Sequence, residues 1–388
     1  MNLLVSTNLD SVTEEKLPAR VRRQRVRMLF ISSVGLGFRR YYEQLVRYAS
    51  IDDDVEAVHI EVRQPLAVKL FCATVPVLGR RGWDQKSLRY HLAWKPILRH
   101  WFKGPLSLER FDVVHLTHGI SYGLIPFAGR GTKFALNIDV TAIQDYRELG
   151  YARLGRLPMV QVERQMYEAA DLVVCRNNWA CRSIIRDFAV PQEKTQLALS
   201  SIPLPAKSRA DYPPTTGPVK IVFVGQQFER KGGPQLLRLH QEQLSQTAEL
   251  HICSGGVEPD RSLRNVVWHG NVPNDRLRNE LLPTMDLFVF PTQHDMSPWA
   301  VIEAASAGLP VVSTRIGAIP DMVDDGKSGC LFETNDWDGI AAAVKMLIGR
   351  PEMRYSMGIA ARELMRVNYN PDEQFPALLN RLKKLALG

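Results

Sequence analysis

Lys220-Ile221-Val222-Phe223-Val224-Gly225-Gln226-Gln227-Phe228-Glu229-Arg230-Lys231-Gly232-Gly233-Pro234 joins a short apolar run, a glycine turn with two adjacent cations, and the start of a helical pattern running to Gln246. The same order opens the first half of the chain. There Met28–Ser32 leads into Gly35 and Gly37, then into a helical pattern over Tyr41–Tyr48. Strand, glycine turn and helix at the head of each half predict two doubly wound α/β domains. Between them Pro203, Pro205, Pro213, Pro214 and Pro218 mark residues 202–218 as a linker.

Further strands and helices extend this pattern. Glu249–Cys253, Val266–Trp268, Leu287–Phe290 and Val311–Ser313 are short apolar runs bounded by Gly, Pro or Asp, suited to strands covered on both faces. Helical patterns lie at Asp275–Leu282 and Trp299–Ala307, the second closed by Gly308-Leu309-Pro310, and near 336–348, 351–367 and 372–386. In the first half Phe111–Leu116, Lys133–Ile138 and Leu172–Cys175 read as strands, whereas residues 62–110 show no clean periodicity. The 388 residues are too many for one core and suit two domains of ~150–200 residues.

Composition excludes several classes. With 45% hydrophobic and 23% charged residues the chain is neither disordered nor fibrous. No apolar run reaches the ~18–20 residues that span a bilayer. The acids Asp10, Glu14 and Glu15 precede the arginines 20–27 without a long apolar stretch, which does not fit a secretory signal, and residues 1–25 read as a flexible tail. The five cysteines form no Cys-x-x-Cys pair, so neither a disulfide framework nor a metal site is expected, and a reducing cytoplasm is. The net charge of +8 is uneven: residues 1–205 hold 29 cations against 20 acids, residues 206–388 hold 20 against 21, and residues 63–110 hold 10 against 2.

Three pieces of the second half carry chemistry. The turn from Gly225 to Gly233, with Arg230 and Lys231, suits a phosphate or diphosphate; alone it reads rather as a surface turn with solvated basic residues. In Asp295-Met296-Ser297-Pro298-Trp299-Ala300-Val301-Ile302-Glu303-Ala304, Asp295 lies in the loop after a strand and Pro298 starts a helix. Glu303 falls among Ala, Val and Ile inside that helix, where an acid needs a partner, either a ribose diol or an arginine. Ala307-Gly308-Leu309-Pro310-Val311-Val312, Gly317-Ala318-Ile319-Pro320-Asp321 and Gly326-Lys327-Ser328-Gly329 supply small residues for close backbone approach.

In this order and spacing the pieces resemble the retaining family 4 glycosyltransferases of the GT-B fold, over about residues 217–350, and more weakly over 28–205 through Asp112-Val113-Val114-His115 and Glu163…Ala170-Asp171-Leu172-Val173-Val174. The resemblance implies two Rossmann-like domains facing each other across a cleft. Residues 26–205 would be the acceptor domain, residues 206–369 the nucleotide-sugar donor domain, and a last helix near 370–388 would pack back on the first. It implies a Glu-x7-Glu donor motif, with Glu303 on the nucleotide ribose and Asp295 standing in for the first Glu, near the sugar. Gly225, Arg230, Lys231, Ser297, Pro298 and Trp299 would complete the donor site, with Lys231 on the diphosphate. The arginine usual after the strand-end glycine is Gln226, which passes its role to Arg230. The family's His-Asp pair reads Asn137-Ile138-Asp139, leaving Asp139, with His118 as a substitute. Gly35, Gly37 and Arg39 would face the acceptor.

The implied activity is transfer of a sugar from a UDP- or GDP-sugar to a glycan or lipid-linked acceptor hydroxyl, with retained configuration and no metal or other cofactor, in cell-envelope or polysaccharide synthesis. The alternatives are a degenerate member that binds without turnover, to which Gln226 and the missing His point, and an epimerase or inverting enzyme on the same fold. No nucleic-acid module appears, and the basic charge is confined to one domain, so nucleic-acid binding is not expected. In residues 63–110 the cations Arg80, Arg81, Lys86, Arg89, Lys95, Arg99 and Lys103 interleave with Trp83, Tyr90, Trp94, Trp101 and Phe102. That mixture suggests docking on an anionic membrane surface, peripheral on the inner face of the plasma membrane; the alternatives are a basic face with its rings packed inward, or a soluble polyanionic acceptor.

Overall fold

The structure, a computed structural model, describes residues 25–33, 37–74, 83, 85–213 and 217–388. Residues 1–24, Gly35, Arg80, Arg81 and Pro214, all named above, lie outside them. Among the described residues the strands form two six-stranded sheets, every pairing parallel. The first takes the order β2-β1-β3-β4-β5-β6, with β1 Val26–Ser33, β2 Val55–Val62, β3 Val113–Thr117, β4 Lys133–Ile138, β5 Leu172–Cys175 and β6 Thr195–Leu197. The second runs β12-β11-β10-β7-β8-β9, with β7 Val219–Val224, β8 Ala248–Cys253, β9 Val266–Trp268, β10 Leu287–Phe290, β11 Val311–Thr314 and β12 Gly329–Phe332. In each sheet the strand order reverses beside the first strand, between β1 and β3 and between β7 and β10. Such reversal points open a crevice beyond the carboxyl ends of the strands.

Parallel strands must be covered on both faces, and the residues comply: Phe288, Val289, Phe290, Val113, Val114 and Leu116 are all fully buried. One face of the first sheet is covered by the helix Arg39–Ser50 together with the last helix, Pro371–Leu387. The chain thus crosses between domains twice. On the way out Arg209 is held to Asp286 of the second domain at 2.9 Å. On the way back Phe375 stacks against Tyr48 at 5.4 Å between ring centres and lies 5.2 Å from Tyr41, and Lys383 pairs with Asp52 at 2.8 Å.

Residues 62–110, without a clean pattern in the sequence, hold the helices Leu66–Phe71 and Lys86–Lys103, the latter with Pro96 inside it. The rings expected to share a lipid headgroup layer with the cations mostly face the core. Trp94 and Phe102 are buried, Trp101 packs on the same core, Tyr90 lines a cavity, and Trp83 alone among the five is exposed. The helix Lys86–Lys103 needs an apolar stripe against its neighbours, and these rings supply it. Among the described residues no helix is long and apolar enough to cross a membrane.

The stacking of Phe375 yields a stability test. Phe375→Ala should lower unfolding free energy by about 3–5 kcal/mol, seen as a reduced urea midpoint, because it empties a site between two tyrosines. An unchanged midpoint would mean the last helix is only loosely attached.

Candidate active site

At the reversal point of the second sheet the loops after β7 and β10 meet. Gly225 leaves room for the stem of Lys231: a Cβ there would sit 2.5 Å from Lys231 Cδ. Gly232 has φ +78° and presses on Pro291, whose carbonyl oxygen would lie 2.3 Å from an added Cβ, so a side chain is barred by both conformation and space. The result is a tight cluster of charge. Lys231 Nζ lies 2.9 Å from Asp295 Oδ2 and 4.7 Å over the Phe290 ring. The Arg230 guanidinium is 3.8 Å from the same carboxylate oxygen and donates to the His294 carbonyl. Gln226 is turned aside, donating to Asn271 at 2.7 Å.

The remaining residues of the donor pattern separate from this cluster. Pro298 sits at the N-cap rather than in the first turn of the helix Trp299–Ser306, and the buried Ser297 hydroxyl has no partner among the described residues. The Trp299 indole N–H reaches the first domain, donating to the Gly37 carbonyl at 3.1 Å. Glu303 is 3% exposed and is paired with Arg40 of the first domain. Burial pushes its carboxyl pKa up, against the pull of Arg40 and of Arg278. Of the two partners the sequence allowed, the arginine is the one present.

Facing this wall, the first domain carries a cavity of about 950 Å³, to which Met296 of the second domain also contributes. His118 lines it at the end of β3 and Asp139 at the end of β4. The His118 Nε2 lies 3.3 Å from Glu163 Oε1, and both Glu163 oxygens accept from the backbone N–H of Ala142, at 3.0 and 2.9 Å. Asp139 is 3.8 Å from the buried Arg176, which donates to the Gly37 carbonyl and lies over Phe38 at 4.5 Å. Arg39 also lines the cavity, while pairing with Glu43 at 3.0 Å. Tyr151 touches His294 edge to face at 5.6 Å, so the two walls meet.

Asp145 and Arg156, unmarked in the sequence, form a buried pair at 3.2 Å in the same cavity. Arg40 and Arg176 were equally invisible, because arginines in unpatterned loops and helix starts look like surface. Glu163 did leave a signal: its helical neighbours at three and four residues, Met159, Val160, Met166 and Tyr167, are all apolar and buried. An acid in such a stripe needs a polar partner.

Burial pushes the Asp145 carboxyl up to about 7 from its ordinary 3.8, with Arg156 opposing the shift. Between those values the folded protein keeps a proton that the unfolded chain has lost, so stability is full below about 4 and falls as pH rises to about 7. Asp145→Asn should flatten that decline, worth on the order of 2–4 kcal/mol, in denaturant titrations from pH 4 to 8. Parallel curves for the two proteins would refute the assignment.

Residues 218–350 match the family described as glycosyl transferases group 1. A sulfoquinovosyl transferase of Arabidopsis thaliana is 36% identical over 100 residues, which are 25% of this chain and 19% of that protein. The matched stretches cover between 19% and 64% of the curated relatives' own lengths. Among solved structures, the sucrose-phosphate synthase of Thermosynechococcus elongatus superposes with a TM-score of 0.67 at 15% identity, over 93% of this chain and 99% of that one. The Anabaena protein HepE, solved in complex with UDP, gives 0.61 at 10% identity, over 92% and 100%. Over residues 218–350 the chain is thus similar to the glycosyl transferases group 1, and the whole is built on the GT-B fold seen in the glycosyltransferase structures.

Proposed function

We propose that the protein transfers a sugar from a UDP- or GDP-sugar to an acceptor hydroxyl with retention of configuration, in the synthesis of a cell-envelope glycan or polysaccharide. One observation carries this reading. Lys231, Arg230 and Asp295 converge at the reversal point of the second sheet, and Met296, the next residue along, lines the cavity of the first domain. A diphosphate drawing Lys231 and Arg230 off Asp295 leaves that carboxylate for the sugar hydroxyls, beside the space where an acceptor enters. The two cations then stabilise the charge developing on the leaving diphosphate, with no resident metal required. Glu303 takes the ribose hydroxyls once Arg40 gives way. Meeting walls exclude water and limit hydrolysis of the donor. The UDP held by HepE supports a uridine donor. A peripheral membrane setting in the cytoplasm belongs to this reading only through the cations of residues 63–110.

Two observations favour a second reading, binding without turnover: Gln226 is tied to Asn271, and Arg40 occupies Glu303. Incubation with a panel of UDP- and GDP-sugars, followed by nucleotide release and product mass, separates the two. Nucleotide binding without any release would establish the second.

Within the leading reading, Lys231→Ala should lower kcat/KM by ~2–4 kcal/mol of transition-state stabilisation, and Arg230→Ala by a comparable amount. An intact rate in Arg230→Ala would reduce that residue to a surface charge. Glu303→Ala should weaken nucleotide affinity and abolish transfer, whereas Asp295→Ala should cut kcat more than affinity. Calorimetry with UDP and GDP beside initial rates reads both, and wild-type values in either variant would remove that residue from the site.

A further inference from the structure

The cavity of the first domain has two ends of opposite character. Its inner lining forms an acidic floor, with the buried Glu163 and the half-buried Asp139 near Asp145, which pairs with Arg156. Here Asp145 Oδ1, Arg156 Nε and His91 Nδ1 are buried with no hydrogen-bond partner among the described residues. All three side chains line the cavity, Arg156 and His91 more than nine-tenths buried and Asp145 with 12% of its side chain exposed. A buried polar atom left so costs about 1–3 kcal/mol, and a hydroxylated ligand removes that cost. The exposed lining forms the mouth, where Arg39, Arg63, Lys69 and Lys86 stand against one acid, Glu61. Arg39 is shared with Glu43 and Lys86 donates to the Thr74 hydroxyl at 2.8 Å, but Arg63 and Lys69 make no ion pair among the described residues.

We propose that the acceptor is a hydroxylated molecule carrying a phosphate-type group, its hydroxyls on the floor at Asp145, Arg156 and His91 and its phosphate at the mouth on Arg63, Lys69 and Lys86. The inference rests on the glycosyltransferase reading above and narrows its acceptor. The three mouth cations come from separate elements, the end of β2, the helix Leu66–Phe71 and the start of the helix Lys86–Lys103. Cations supplied by separate elements around one cavity suit a group with several acceptor oxygens and more than one charge, rather than a single planar carboxylate. The basic excess of residues 63–110 thereby gains a local purpose, while most of its rings serve the core. The phosphate belongs either to a soluble sugar or polyol phosphate or to a lipid headgroup. On the helix that carries Lys69, Leu66, Leu70 and Phe71 are 71%, 68% and 51% exposed, so a headgroup source would set these side chains against its bilayer.

Calorimetry on the full chain tests the proposal. One arm compares glucose 1-phosphate, glucose 6-phosphate, mannose 6-phosphate and myo-inositol 1-phosphate with their unphosphorylated parents. The other compares phosphatidylcholine vesicles with and without phosphatidylinositol 4-phosphate. Phosphate should tighten binding at least tenfold in one arm, and Arg63→Ala/Lys69→Ala should abolish that preference while leaving UDP and GDP affinity unchanged. The responding arm identifies the source. No phosphate preference in either arm, or a preference that survives the double variant, overturns the proposal. Asp145→Asn should weaken phosphorylated and parent probes alike, and a selective loss of the phosphate preference in that variant would overturn the assignment of floor and mouth. Loss of the donor reading is a separate result, failure of both UDP and GDP to bind the wild-type protein, and the phosphate comparison remains readable without it.

Discussion

An all-parallel sheet has no face it can leave to water, because each crossover lays a helix over it. Both sheets here obey that constraint, so most strand residues are spent on burial and carry no chemistry. Variation is left to the loops at the carboxyl ends of the strands. The charged residues of interest follow this: His118 begins after β3, Asp139 after β4, Lys231 after β7 and Asp295 after β10. Two sheets whose reversal points are turned toward each other make one cleft from two unrelated sets of loops.

Within that cleft the acids are already compensated. Asp295 carries two cations, and Glu303 holds an arginine from the opposite domain. A buried carboxylate without such a partner is strongly destabilising, so both positions keep a cation close in the absence of ligand. Binding an anionic donor then becomes an exchange of partners, a smaller change in solvation than exposing or burying a bare charge. The Glu303–Arg40 pair also joins the domains, together with the Trp299 N–H on Gly37, which links the chemistry of one domain to the position of the other.

Much of this was legible beforehand. The apolar runs of the second half, the glycine turn at Gly225 and the spacing from Asp295 to Glu303 are local signals, and the strands Ala248–Cys253, Val266–Trp268, Leu287–Phe290 and Val311–Thr314 stand within a residue of the runs read from them. What escaped was set by contacts distant in sequence. The strand Val55–Val62 alternates polar and apolar residues too weakly to stand out, with buried ends and a mixed middle. Arg40 is one of two adjacent arginines at a helix start, and only the other domain distinguishes it from Arg39. The rings of residues 63–110 looked amphipathic because Pro96 and the cations obscure the period, although the helix is continuous through them. Composition reports how many cations a segment has and is silent on which way they point.

The return of the last helix to the first domain orders events during synthesis. The first sheet is complete in sequence by Leu197, yet one of its faces is finished by residues 371–387, after the whole second domain has been made. At ~5–20 residues per second, the ribosome needs on the order of ten seconds to cover that interval. Through it the nascent first domain presents Tyr41, Tyr48 and their apolar neighbours uncovered, a surface that chaperones hold and that neighbouring nascent chains could occupy. A ribosome that stops short of the end therefore releases a chain whose earliest-made domain is the one left unfinished.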